Sequence, residues 1–425
     1  MQTKSLTILR KVVVGALALS VSFPIGFITA SKILLVSAGV IVFWHSNPRP
    51  LLWRTVRPNV NTWVYVSCLA MLMSILWTQA PDSLAWKSIN HHSTLLLIPL
   101  IYFLLKTKDE ARWALRVYLL GQLFVLFSSW ALFAGQSLPW QSSNIANSGN
   151  QFATFSSYLD QSIMASVFSA VLWHGRHYLA EGWRRYGVVP MCSAALGCVF
   201  FLLPGRTGQL VGLAMLSLWV MWLLPVRVRL AAVCAPVVLM AGFLVFSKPV
   251  HDRFETSWAE ARAYAQGDAS PTSIGFRLEA WRSALISIQE NPVVGTGAGS
   301  WGRQYDAVQS AAGRPNATPT DGNPHQEFLL WGVELGLGGM VLLAGILGSI
   351  FQLSLRMDVG SQRATQSTLL ATVIACLFNC ALYDALIGDY LCVTLALCLC
   401  SGLKPDAEYE EQSEAAIQHP NGAHS

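Results

Sequence analysis

The sequence predicts an all-α polytopic membrane protein, with about twelve transmembrane helices and one large helical loop on a single side of the bilayer. Three observations lead there. The 425 residues are 53% hydrophobic but only 12% charged, about half the charge of an ordinary soluble domain. Apolar residues gather into runs near the ~20 residues needed to cross the hydrocarbon. Basic residues fall on alternate connections between those runs. The runs do not alternate apolar with polar residues, which excludes a barrel, and lipid then leaves the backbone no arrangement but helices.

Taken in order, apolar stretches begin near Val12, Ile33, Thr62, Ser93, Trp113 and Leu159, then near Val188, Gln209, Leu230, Gln326, Gln366 and Ala385. The second and fourth are short enough for a tilted or re-entrant passage. The first follows a basic start as a signal peptide does, but no clean small-residue cleavage site follows, so it reads as a retained span. Sixteen tryptophans fall mostly near helix ends, as interfacial anchors do.

Orientation follows from the basic residues. With the N-terminus in the cytoplasm, the inner connections hold Arg49, Arg54 and Arg57, Lys106 and Lys108, Arg184 and Arg185, Arg227 and Arg229, and Lys404. The short outer loops hold only Lys32, Lys87 and Arg206. Both termini are therefore expected inside. The nine cysteines sit in or beside apolar segments and read as small core or lipid-facing residues. Nothing in the charge pattern calls for a nucleic acid.

The chain divides into membrane helices over 1–247, a large outer loop over 248–325, further membrane helices over 326–402 and a polar, disordered tail over 403–425. A second outer segment, 135–158, is polar and rich in Ser, Asn and Gln. Within the large loop, residues 273–290 project Leu278, Trp281, Ala284, Leu285 and Ile288 onto one stripe, with Glu279, Ser283, Ser287 and Glu290 opposite. This predicts an amphipathic helix ended by Asn291-Pro292. Arg277 falls inside the apolar stripe and Arg282 at its polar edge, so solvation explains Arg277 least.

Three residues that the topology brings to the outer side are candidates for chemistry. Arg206, in Leu203-Pro204-Gly205-Arg206-Thr207-Gly208, is either a snorkelling interfacial arginine or a cationic anchor at membrane depth. Arg277 reads as half of a salt bridge, a lipid-phosphate contact, or a guanidinium fork for phosphate oxygens. His325, in Asn323-Pro324-His325-Gln326-Glu327, is expected in the first turn of the next helix, with Asn323 as N-cap, Pro324 at the first position and Gln326 completing a capping box. A helix start favours neutral imidazole and attracts anions, which suits a proton acceptor as well as an interfacial hydrogen-bonding residue. Asn323 and Gln326 stand beside it as candidates for binding substrate. Gly295-Thr296-Gly297-Ala298-Gly299 has no preceding strand and reads as a tight turn rather than a phosphate loop. His91 and His92 are expected on an outer loop without a metal-spaced second pair, and Asp384 and Asp389 are expected in solvent around the last outer turn.

In sequence order, Pro204-Gly205-Arg206-Thr207-Gly208, Gly275-Phe276-Arg277-Leu278 through Trp281, Asn291-Pro292 through Gly297, and Asn323-Pro324-His325-Gln326-Glu327-Phe328 with Glu334-Leu335-Gly336 resemble the O-antigen ligase and polymerase superfamily, most of all its lipopolysaccharide O-antigen ligases. The resemblance covers roughly 203–339; elsewhere it rests on helix count and topology. It implies a GT-C-like glycosyltransferase at the outer face of the bacterial inner membrane. The donor it implies is a glycan on undecaprenyl diphosphate, and the acceptor is the core sugar of lipid A. Arg206 and Arg277 match the family's essential arginines and His325 its essential histidine. The family is metal-independent, and no cofactor is implied. An O-antigen polymerase or a protein O-oligosaccharyltransferase of the same superfamily shares these motifs. A transporter of lipid or solute predicts an inverted repeat and paired broken helices, and the sequence displays neither.

Overall fold

The computed structural model describes residues 2–45, 59–141, 151–179, 181–229, 238, 242, 248–266, 272–313 and 322–403. Among these the regular structure is all helix. Helices α1 (Gln2–Ser20), α2 (Ile25–His45), α3 (Asn59–Met73), α4 (Asp82–His92), α5 (Leu97–Leu104) and α6 (Lys108–Phe133) come first, followed by α7 (Tyr158–Leu179), α8 (Val189–Gly197) and α9 (Arg206–Leu223). Three helices, α10 (Lys248–Ala265), α11 (Ser273–Glu290) and α12 (Trp301–Ala311), then precede α13 (Glu327–Ser354), α14 (Val359–Phe378) and α15 (Ala385–Leu403).

Among the described residues, Ile25–His45, Lys108–Phe133, Gly182–Leu202, Glu327–Ser354 and Ala385–Leu403 are long and apolar enough to cross a membrane. The protein is thus an all-α, membrane-integrated chain. Every apolar stretch expected from the sequence coincides with a helix except the one near Leu230, which lies outside the described residues, as do Cys234, Arg49, Arg54, Arg57, the tail from Lys404 and part of the 135–158 segment. The fourth stretch is short, a 3-10 turn over Ser93–Leu96 that runs on from α4 into α5. Helix α15 is the inner rod of the bundle, with 83% of its apolar window buried, and it packs on α5, α6 and α14. The eight described cysteines are all free thiols.

Helix α11 has the predicted bounds. It starts at the Thr272 cap, whose side chain accepts from the Gly275 N–H, and stops at Asn291 before Pro292. The expected polar face, however, is not solvated. Glu279, Ser283 and Ser287 are buried and Leu285 is exposed, because α12 covers that side. Gln309 of α12 donates Nε2 to Glu279 Oε1 at 2.8 Å and to Ser283 Oγ at 3.1 Å, and the Tyr264 hydroxyl donates to Glu279 Oε2 at 2.7 Å. On the other side Ala280, Ala284 and Ile288 pack with Leu329, Leu330 and Val333 of α13. Periodicity cannot distinguish a polar face in water from one satisfied by a neighbouring helix.

Helix α13 is broken at Gly336, with φ 66° and ψ −159°. The turn after α11 fills the break: the Thr296 and Gly297 N–H groups donate to the Val333 and Glu334 carbonyls at 2.8 and 2.9 Å, and the Leu337 N–H donates to the Pro292 carbonyl at 2.8 Å. The buried Glu334 carboxylate accepts from Ser88 Oγ and the Gly299 N–H, both at 2.7 Å, and pairs with His92 Nε2 at 2.8 Å. Positive φ and tight space make glycine necessary here; a Cβ on Gly297 would come 2.3 Å from Thr78 Cα. The 295–299 segment is therefore a structural turn, and protein groups close the break.

Two further expectations are corrected. His91 and His92 lie in α4 rather than on a loop, with His91 stacked on Tyr383 at 4.5 Å between centroids. Asp389 is not solvated but fully buried in α15, its carboxylate 3.0 Å from Nζ of Lys32, itself in α2. A lone carboxylate at that depth is costly, and the ammonium offsets it.

Candidate functional site

The N-termini of α7, α9 and α13, the C-terminus of α14 and the start of α11 meet at one end of the bundle. Glycine permits the closest of these approaches. A Cβ on Gly208 would lie 1.9 Å from Ser162 Oγ, and one on Gly205 would lie 2.5 Å from the same atom, so the Gly-Arg-Thr-Gly turn lets α9 start directly against α7. Ser166 Oγ donates to the Gly208 carbonyl at 3.2 Å and ties the two helices. Arg206 is thereby fixed as the first residue of α9, with its side chain exposed. A cation at the positive end of a helix gains nothing from the macrodipole.

Arg277 arrives from α11. It is half-buried, and its Nη2 donates to Oδ1 of Asn379 at 3.4 Å, while Asn379 Nδ2 donates to Thr207 Oγ1 at 3.3 Å. The amide bridges α11 to the residue beside Arg206. The Arg277 pKa is lowered by burial first and by Arg206 second, with Tyr158 opposing. Among the described residues no carboxylate forms an ion pair with either arginine. Two guanidinium groups within each other's field, with no carboxylate partner among the described residues, make a site that favours an anion.

His325 stands beside them, but not where the sequence puts it. Helix α13 begins at Glu327; its cap is Gln326, whose side chain accepts from the Leu329 N–H. His325 precedes the cap, with φ 51°, the only positive φ of a non-glycine residue among those described. Asn323 is not the helix cap. Its Oδ1 accepts from the His325 N–H at 2.9 Å, an Asx-type turn that stabilises the left-handed backbone. Aspartate and asparagine side chains before a proline compete for nearby N–H groups in this way, so the cap shifted downstream. Asn323 and Gln326 each spend one side-chain oxygen on the backbone around His325.

The imidazole is half-buried and edge-on to Phe276, with centroids 5.7 Å apart. Its pKa is lowered by burial first and by Arg277 second. Both effects favour the neutral ring, and they are desolvation and a neighbouring cation rather than a helix dipole. Phe276 and Arg277 are consecutive on α11, so one helix start supplies both contacts.

Asn379 went unnoticed in the sequence, whereas Asp384 is exposed, as expected. Both lie on the turn between α14 and α15, which is held to α13 by the buried Glu327 carboxylate accepting from the Leu382 and Tyr383 N–H groups at 3.0 and 3.3 Å. Asp384 keeps one side open to solvent and has protein on the others. Burial first, then Asp160 and Glu327, push its carboxyl up to about 7. A polar residue closing a long apolar run was the available signal for Asn379; nothing local distinguished Asp384 from a solvated turn residue.

A family model described as O-antigen ligase matches residues 191–344, a segment that contains Arg206, Arg277 and His325. No curated protein matches the chain. Through the segment 191–344, which carries all three residues, the chain is similar to the O-antigen ligase and polymerase superfamily.

Proposed function

We propose that this protein is an O-antigen ligase, a glycosyltransferase that moves a glycan from undecaprenyl diphosphate to the lipid A core at the periplasmic face of the inner membrane. The observation that carries the reading is the meeting of Arg206 and Arg277, without a carboxylate partner among the described residues, beside an imidazole whose pKa is lowered by burial and by Arg277. In the proposed reaction an acceptor hydroxyl attacks the anomeric carbon as the bond to the diphosphate oxygen breaks. His325 takes the hydroxyl proton, and the diphosphate leaves on its lipid with the new charge spread toward the two guanidinium groups. Arginine suits that role because its fork meets phosphate oxygens in pairs. The cleaved diphosphate linkage supplies the driving force, and no metal enters the proposal.

Purified protein supplied with lipid-linked donor and lipid A core tests this. Transfer is expected from the wild type, with Arg206→Ala and Arg277→Ala each slower by about 10²-fold or more. Wild-type rates in both variants at equal protein levels overturn the assignment. In cells, a deletion strain is expected to lose all O-antigen while lipid-linked glycan accumulates. One repeat unit left on the core would identify a polymerase instead, and unchanged lipopolysaccharide with lost protein glycosylation would identify a protein O-oligosaccharyltransferase.

A further inference from the structure

Like charges do not assemble without restraint. Arg206 and Arg277 act on each other closely enough to lower the Arg277 pKa, and the usual way to hold two cations together is a carboxylate between them. That would also neutralise the site. Here the joining group is an uncharged amide. Asn379 is the half-buried C-cap of α14, its own N–H bonded to the Ala375 carbonyl at 2.8 Å. Its Oδ1 accepts from Arg277 and its Nδ2 donates to Thr207, so both ends of one amide are used, and three elements converge on it. Glu327 fixes the turn that follows through Leu382 and Tyr383.

We propose that Asn379 is a positioning residue of the anion site: its neutral amide draws Arg277 toward Thr207 and the start of α9, while leaving both guanidinium charges available to a lipid diphosphate. This rests on the donor reading above and assigns a residue to it. Side-chain chemistry restricts the choice. Aspartate keeps the shape and the bond to Arg277 but has no donor for Thr207 and adds a charge. Alanine removes both bonds and adds none. The two substitutions therefore separate electrostatics from packing.

The test uses the full-length protein in nanodiscs and the binding of farnesyl diphosphate as probe. Asn379→Asp is expected to weaken binding about tenfold, since a close opposite charge competes with the diphosphate for Arg277. Asn379→Ala is expected to weaken it less, about threefold, by loosening Arg277. A merely structural asparagine gives the reverse order, because aspartate preserves the fold better than alanine. Thr207→Val, buried and close in shape, breaks the bridge from its other end and is expected to cost about threefold. Arg277→Ala serves as the reference. If it loses the probe while Asn379→Asp and Thr207→Val bind as the wild type does, the bridge is overturned and the donor site stands. If Arg277→Ala itself binds farnesyl diphosphate as the wild type does, the donor reading fails and takes the bridge with it.

Discussion

The ring of His325 meets Phe276 edge-on, with the planes at 78°, and the residue after Phe276 is the arginine whose charge, after burial, lowers the pKa of that ring. A single turn of α11 thus orients the imidazole and adds to the burial that lowers its pKa. Packing and electrostatics at the histidine are coupled through the placement of one helix.

Phe276→Ala removes the orienting ring while leaving Arg277 in place. Aromatic edge contacts contribute about 0.5–1.5 kcal/mol, so the transfer rate is expected to fall about three- to tenfold, with donor affinity within about twofold of wild type. Single-turnover rates and probe binding measured on the same preparation check this. Equal losses in rate and affinity would show that Phe276 supports the loop rather than the histidine.

Gly208→Ala forces a methyl group into Ser162 and should push the start of α9, with Arg206, away from α7. Overpacking of this kind costs about 1–3 kcal/mol, so both melting temperature and transfer rate are expected to drop. Adding Ser162→Gly removes the two nearest atoms, though not the backbone carbon at 2.8 Å, and should recover part of both. Failure of the second substitution to recover either quantity would mean that the close approach is not what the glycine serves.

Asp384 offers a pH test of stability. Its folded pKa, about 7, lies above the unfolded value near 3.9, so the folded state holds the proton more tightly. Stability is therefore highest below the unfolded pKa and is lost as pH rises through about 7. Solvent on its open side limits the size of the effect. Asp384→Asn, which stays neutral, is expected to raise the melting temperature at pH 8 by on the order of 1 °C and to leave it unchanged at pH 4. A variant that melts lower at pH 8 would contradict the direction.

Much of this was legible in the sequence, and the exceptions share a cause. The helices, the bounds of α11 and the grouping of Arg206, Arg277 and His325 follow from local apolar length, periodicity and motif order. The misplacements arise where a side chain's partner is remote in sequence. Glu279 and Ser283 read as solvated until Gln309 covers them, and Asp389 until Lys32 reaches it across the bundle. Asn323 carried every local mark of a helix cap, yet the backbone beyond Pro324 turned left-handed and gave that role to Gln326. Asn379 matters only because Arg277 and Thr207, far away in the chain, arrive at its two ends.

The central claim is that neutral His325 removes the acceptor proton beside a diphosphate held by Arg206 and Arg277. Its most direct test is the pH dependence of single-turnover transfer by purified protein, run with donor-binding measurements on the wild type and His325→Ala. A base with its pKa lowered by burial and by Arg277 gives a rate that rises with pH along a limb centred below the usual imidazole value of about 6.5. His325→Ala should remove that limb and slow transfer by roughly 10²- to 10⁴-fold, with donor affinity changed far less. A wild-type rate that falls as pH rises through the histidine range, together with lost donor binding in His325→Ala, would instead make His325 a third cation for the diphosphate and contradict its role as the base.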